Sequence, residues 1–375
     1  MEIVPYTPAH QQAIQRLNAT LAEAGSEWRF PARERPAAAE ELAVWTESFV
    51  VVDGEEVRGG YILKHQTFFL EGRPLEVGGF QMPLSLGELD SRYANVSVAL
   101  LFDAMRRSPC LYSLGLGSEE TQFARLLTAA RWRHVAVPFY FSVKSGNAFA
   151  RNIRLPEGQE RTQAALRVLG SLRLAGAAFG LRARVRSRGA PTSAPAIPPP
   201  STRELQGFDA SADELFARVT PSYVMVADRS ASALGEVYPA RDPRYLRLGV
   251  TRNGNPLGWA LALDTPMKGE KYFGDMRVGS IVDCLSAPED AVAVVAAADE
   301  FLTRRGVDIV VSNQLDGRWC EALEVVGYER GPSNFFLYFS EELADRLGAT
   351  ADWERRTHLN RGDGEGPGHL LGAGG

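Results

Sequence analysis

The chain has 375 residues, 23% of them charged and 45% hydrophobic, with a formal net charge of −5. That length suits two ordinary domains, and the balance excludes collagen-like, disordered and disulfide-scaffold classes. The acidic balance argues against bulk nucleic-acid binding, so no nucleic-acid partner is expected.

Three cysteines (Cys110, Cys284, Cys320) are too few and too scattered for a disulfide framework or a zinc site. The five histidines show no metal-ligand spacing, so no metal is expected. The N-terminus lacks a basic region followed by an apolar stretch, and no apolar run approaches the roughly 18 residues of a membrane span. The expected location is the cytoplasm.

In chain order, Glu2 to Thr7 reads as a short strand. Thr7-Pro8 then supplies a cap and a first-turn proline for a helix that Gly25 ends. A hairpin follows, from Ser48 through the Asp53-Gly54 turn to Val57–Phe69, and Glu71-Gly72 leads into a strand over Leu75–Leu86. Residues 97–107 have helical apolar spacing and a basic end. Then come a buried-type strand (Leu111–Leu116), a helix (Glu119–Ala130) and an aromatic strand (Val135–Val143).

The second half repeats much of this order. Helical segments are expected to fill 211–235, followed by strand Tyr245–Thr251, the Asn253-Gly254-Asn255 turn and strand Pro256–Leu263. Strand Met276–Leu285 precedes a helix over Asp290–Arg305 closed by Gly306. Val307–Val311 reads as a buried strand, Arg318–Val326 as a helix and Ser333–Ser340 as a last strand. In the first half a helix leads to Trp132, and seven residues later begins Phe139-Tyr140-Phe141. In the second a helix leads to Tyr328, and seven residues later begins Phe335-Phe336-Leu337-Tyr338. An internal structural repeat without close sequence identity is the expectation.

Between the halves, residues 189–202 hold five prolines among small residues and read as a semi-rigid linker. The glycine-rich stretch from about residue 351 is expected to lack regular structure. Residues 161–188 form an apolar stretch interrupted by Arg167 and Arg173 and closed by a basic run. It reads either as an inter-domain helix packing on a sheet or as a basic amphipathic helix at a membrane surface.

The strand–helix–aromatic–strand ending resembles the C-terminal half of the GNAT superfamily of acyl-CoA-dependent N-acyltransferases. Residues 1–345 are similar to a tandem of two such domains, an α/β fold with mixed sheets. The wording Gly79-Phe80-Gln81-Met82-Pro83, Leu111-Tyr112-Ser113-Leu114-Gly115 and His358-Leu359-Asn360-Arg361-Gly362-Asp363 resembles GNAT-like proteins of bacterial surface-polysaccharide clusters. The resemblance implies domains over 1–150 and 206–345, a helix and linker over 151–205, and a tail over 346–375. It implies acetyl-CoA or another acyl-CoA as donor and a small-molecule or sugar amine as acceptor. A recurrence of the ending would fold the tail over the cleft; disorder is the other reading. Trp28-Arg29-Phe30-Pro31 stands where GNAT folds recognise acceptors, or is a hydrophobic plug.

By the same resemblance, the donor's pyrophosphate loop falls on Arg92-Tyr93-Ala94-Asn95-Val96-Ser97, with Asn95 and Ser97 where the family has glycines. Asn tolerates positive φ, and Ser97 can cap the following helix. The matching loop of the second half, Leu285-Ser286-Ala287-Pro288-Glu289-Asp290, puts two acids at a helix start, where they compete with pyrophosphate. Asn313 occupies a position where many GNAT domains put an asparagine near the pantetheine. Glu76 and Asp283 match the place of a catalytic glutamate, and Tyr140 that of a tyrosine acid. Their plain alternatives are a surface carboxylate, a buried paired acid and a packed aromatic. A Fem-type aminoacyl-tRNA-dependent transferase and a non-catalytic GNAT-like scaffold remain as other functions.

Overall fold

The computed structural model describes residues 1–117, 121–154, 198–348 and 350–364. Left-handed turn residues set its two antiparallel meanders. β2 (Val44–Asp53) turns into β3 (Glu56–Leu70) at Gly54, and β3 into β4 (Arg73–Ser85) at Glu71 and Gly72, with φ of 49° and 77°. In the second half Asn253 and Gly254, at 52° and 80°, join β10 (Leu246–Arg252) to β11 (Asn255–Pro266). Two successive residues of positive φ match the twist of the flanking strands.

Two mixed sheets result. The first adds β1 (Glu2–Pro5), β5 (Leu111–Leu116), β6 (Arg133–Ala136) and β15 (Phe335–Phe339), in the order β1-β2-β3-β4-β5-β15-β6. The second adds β7 (Phe139–Val143), β8 (Ser201–Glu204), β12 (Arg277–Ser286), β13 (Ile309–Asn313) and β14 (Glu329–Gly331), in the order β8-β10-β11-β12-β13-β7-β14. The orders correspond strand for strand, so the two aromatic strands hold matching positions, as the repeat implied. Each sits in the sheet of the other half, which the sequence reading did not foresee.

Proline explains where the exchange occurs. The strand expected over Val135–Val143 is broken at Pro138, which has no amide to continue a ladder. Val137 N–H still donates to Phe335 C=O in the first sheet (2.9 Å), whereas Pro138 C=O accepts from Gln314 in the second (3.2 Å). Pro332 stands at the same place between β14 and β15.

On one face of the first sheet, α1 (Gln11–Glu23) buries Ile14, Leu17 and Leu21 with Ile62 and Leu84. On the other, α2 (Val96–Arg107) and α3 (Gln122–Ala129) bury Leu100, Leu101 and Leu127 with Tyr61, Leu63 and Phe80. Alternation along β3 sends Ile62 one way and Tyr61 and Leu63 the other. The short helix α4 (Gly146–Asn152) follows β7. In the second half α5 (Ala210–Val219) and α6 (Ala231–Val237) pack with Leu261 and Val282. There α7 (Ala291–Arg304) and α8 (Gly317–Val326) pack with Ala260 and Val310. α9 (Glu341–Gly348) follows β15.

Two expectations need correction. The stretch 211–235 is not all helix: β9 (Met225–Ala227) interrupts it, buried, and pairs antiparallel with β3. Its run Val224-Met225-Val226-Ala227 suits a buried strand better than a helix. Nor does the tail lack structure as far as Gly364. β16 (Thr357–His358) pairs parallel with β9, and Arg361–Asp363 form a 3-10 turn with Asp363 buried. The basic segment 161–188, residues 189–197 of the linker and residues 365–375 lie outside the described residues. Among the described residues no helix is long and apolar enough to cross a membrane.

The exchange makes each sheet depend on both halves. Residues 1–150 produced alone should aggregate, since the gap between β5 and β6 is left open. Co-expression with residues 198–375 should give one 1:1 complex by size-exclusion chromatography. A folded, monomeric 1–150 fragment would contradict the exchange.

Candidate functional site

β4 and β5 run parallel but pair only at Gly78–Leu111 and Gly79–Tyr112. Beyond Gly79 they part. The β4 register jumps from Ile62–Gln81 to Gly60–Leu84, a bulge in which Met82 takes φ of 47°. Parted strands offer backbone donors and acceptors to an extended ligand laid between them. At the open end, a cavity of about 230 Å³ is lined by Phe80, Pro83, Glu88, Ser97, Gln122 and Phe123, among others. Here α2 begins, and its first N–H groups have no intrahelical partner.

Of the four residues expected to hold a donor, the three in the first half surround this end unequally. Ser97 lines the cavity, but Asn95 is the residue before the helix, so Ser97 sits inside the first turn and does not cap it. Asn95 is exposed and makes no capping hydrogen bond. Arg92 is largely exposed and forks onto Asp90 (Nη2–Oδ2 2.6 Å, Nε–Oδ1 3.1 Å), which holds the Asp90 carboxyl below its ordinary range.

The second sheet contains the same divergence, but it is filled. β12 and β13 pair from Val278–Ile309 to Ile281–Ser312 and then part around a bulge at Val282, next to Asp283. The tail enters the gap. Leu315 N–H donates to Leu359 C=O (2.9 Å), His358 Nε2 donates to Cys284 C=O (2.7 Å), and Asn360 Nδ2 donates to Asp283 Oδ1 (2.7 Å). The tail then crosses to the first sheet. Tyr112 hydroxyl donates to Asp363 C=O (2.7 Å), and Gln81 Nε2 to Gly364 C=O (3.2 Å). The chain's own tail therefore seals one divergence and reaches the apex of the other at Asp363 and Gly364.

Charge holds it there. Arg229 Nη2 lies 2.7 Å from Asp363 Oδ1 and its Nε 2.9 Å from Asp283 Oδ2, all three side chains being buried. Tyr238 hydroxyl donates to Asp283 Oδ2 (2.8 Å), and Asn360 N–H to Asp363 Oδ2 (3.0 Å). A Cβ at Gly362 would stand 1.9 Å from the Tyr238 oxygen, so only glycine passes. Nearby on β3 is Lys64, 5% exposed, with no hydrogen-bond or ion-pair partner among the described residues. Burial lowers its amine to about 8, against the opposing pull of Asp363 and Asp283.

Of the remaining expected residues, Glu76 lies on the paired side of Gly79, exposed, and accepts from Thr67 Oγ1 (2.6 Å). Tyr140 belongs to the second sheet, where it donates to Glu324 (2.8 Å). Burial raises its pKa, and it stands next to a hollow of about 450 Å³ lined by Glu324, Tyr328, Glu329 and Arg330. Asn313 ends β13 and reaches Pro138 C=O at 3.5 Å. Only Asp283 joins the charged cluster. The sequence reading missed Lys64 and Arg229, and named His358 and Asn360 only within the wording of a tail read as folded over the cleft or disordered. One signal was available for Lys64: it is one of only four lysines, set in an apolar strand.

No family profile matches the sequence, and no curated protein matches it. Solved structures do. A probable N-acyltransferase of unknown function from Enterococcus faecalis aligns with a TM-score of 0.51 at 9% identity, covering 92% of this chain and 74% of that one. The likeness is one of overall fold. A tandem GNAT protein of the clavulanic acid pathway aligns at 0.48 and 13% identity, covering 90% of this chain and 98% of that one. N-myristoyltransferase of Saccharomyces cerevisiae with bound myristoyl-CoA aligns at 0.49 and 12%, covering 90% and 77%.

Two measurements probe the cluster. Asp363→Asn takes one anion from two buried cations, and its cost in urea unfolding should reach about 3–5 kcal/mol. An unchanged midpoint would mean the tail is not held by this pair. His358 is buried and its pKa lowered, first by desolvation and then by Arg229. Above about pH 6.5 it is neutral in both states. Below that the unfolded chain binds a proton that the fold resists, so stability should fall by up to about 1.4 kcal/mol per pH unit. His358→Gln should flatten that part of the stability profile.

Proposed function

We propose that this protein transfers an acyl group from a CoA thioester to an amine, with the donor lying in the divergence of β4 and β5. The observation that carries the reading is the contrast between the two divergences: among the described residues one keeps a cavity at a helix N-terminus, with the tail at its apex, and the other is filled by the tail. From Gly79 to Ser85 β4 runs about 20 Å, at roughly 3.3 Å per residue. That is the scale of an extended pantetheine arm, whose pyrophosphate would meet the start of α2. Its thioester would then lie at the apex, near Gln81, Tyr112 and Lys64.

In this reading Ser97, Asn95 and Arg92 flank the anionic end of the donor, and Asp283 acts through the tail it holds. Glu76, Tyr140 and Asn313 receive no role. The domain limits 1–150 and 206–345 are part of the same proposal. An amino-sugar acceptor of surface-polysaccharide assembly is supported by sequence wording alone, and membrane contact through 161–188 by that segment's composition.

Acetyl-CoA at about 100 times its dissociation constant should raise stability by about 2.7 kcal/mol. Ser97→Asp places a carboxylate in the first turn of α2, a substitution that a helix start tolerates but a bound pyrophosphate opposes. Calorimetric titration should show at least a tenfold loss of affinity. Glu289→Lys, at the corresponding place in the second half, should bind as the parent does. Unchanged binding by Ser97→Asp together with tighter binding by Glu289→Lys would move the donor to the second half.

A further inference from the structure

Lys64 is left unexplained by the reading above, on which the following rests. It faces Gly79 across the β3–β4 ladder, at the last pair before β4 and β5 part. The Cβ position of Gly79 lies 3.1 Å from Lys64 Cβ and 3.3 Å from the Tyr112 hydroxyl. Its stem therefore stands at the apex, beside the tyrosine that holds the tail. Buried lysines are ordinarily paired, because an isolated ammonium in a low-dielectric interior is costly. Here the charges facing it are Asp363, Asp283 and Arg229, and the two carboxylates share Arg229.

We propose that Lys64 is a self-acylation site, at which the protein takes the acyl group of a thioester donor bound between β4 and β5. The Nζ lone pair attacks the thioester carbonyl carbon and a C–N bond forms. The C–S bond breaks with its electron pair going to sulfur, and a proton from Nζ passes to sulfur, releasing CoA as the thiol. The product is a neutral amide. It leaves Arg229, Asp283 and Asp363 with a net charge of −1 where the protonated cluster had zero, so acylation alters the seat of the tail as well as the apex.

The neutral amine required is present at ordinary pH. Lowering an amine from 10.5 to about 8 raises its neutral fraction near pH 7 on the order of a hundredfold. Lys268 and Lys271 are exposed and lie on the loop after β11, and Lys144 is paired with Asp299 at 2.7 Å. These three serve as internal controls.

The test is incubation of the full chain with acetyl-CoA from pH 6.5 to 9, followed by peptide mass spectrometry. Lys64 should gain one acetyl group at least tenfold faster than Lys144, Lys268 or Lys271, with a rate that rises to about pH 8 and then levels. The Ser97→Asp variant, which folds but binds donor weakly, should lose the Lys64 modification while the exposed lysines react as before. Calorimetry on the same sample separates the two ideas. Binding of acetyl-CoA without acetylation of Lys64, or acetylation no faster than at the exposed lysines, overturns this inference and leaves the donor site standing. Absence of binding overturns both.

Discussion

One buried guanidinium organises the centre of this molecule. Arg229 is shared by Asp283 from the second sheet and Asp363 from the tail. Taking three charges out of water costs more than any single pair returns, so such a group persists only when its remaining hydrogen bonds are met. Those of Asp283 are met by parts far apart in sequence: Tyr238 ahead of β10, Asn360 in the tail, and the backbone of Cys284. A tail rich in glycine would have little reason to stay in the interior. Its buried carboxylate at Asp363 supplies one.

The consequence is an asymmetry between two units of the same strand order. Each sheet opens where its fourth and fifth strands part. In the second, the tail supplies the hydrogen bonds that a ligand would otherwise make, and the gap becomes part of the core. In the first, the tail reaches the apex at Asp363 and Gly364, touching Gln81 and Tyr112, and among the described residues a cavity persists at the start of α2. The second unit thus contributes to the first by what it holds in place. Exchange of β7 and β15 ties the units further, since neither sheet is complete without a strand from the other half.

Much of the secondary structure was written locally. Asn253-Gly254 and Glu71-Gly72 specify their turns, the spacing of Ile14, Leu17 and Leu21 specifies a helix face, and Leu111–Leu116 reads as a buried strand without help. The aromatic repeat located two equivalent strands correctly. Pro138 and Pro332 were visible too, but a proline announces a break and not a destination. Which sheet receives the strand beyond it depends on which edge is vacant, and that is a property of the assembled fold.

The site divides in the same way. The loop before α2 and the acid at Asp283 were legible, because a helix start and a carboxylate among apolar neighbours carry meaning within a few residues. Arg229, Asn360 and His358 carry none locally: each stands in a stretch that reads as an ordinary polar turn or tail. Their importance comes from desolvation, which acts only once two sheets have closed around them. Sequence alone determined most of the elements, the repeat and the α/β class, since those follow from period and turn chemistry; β9, the break at Pro138 and the ordered tail were not among them. Only tertiary structure decided that the strands cross over, that the tail seals one opening and that Lys64 is buried at the other, because burial and charge pairing join residues from 45 to 134 positions apart.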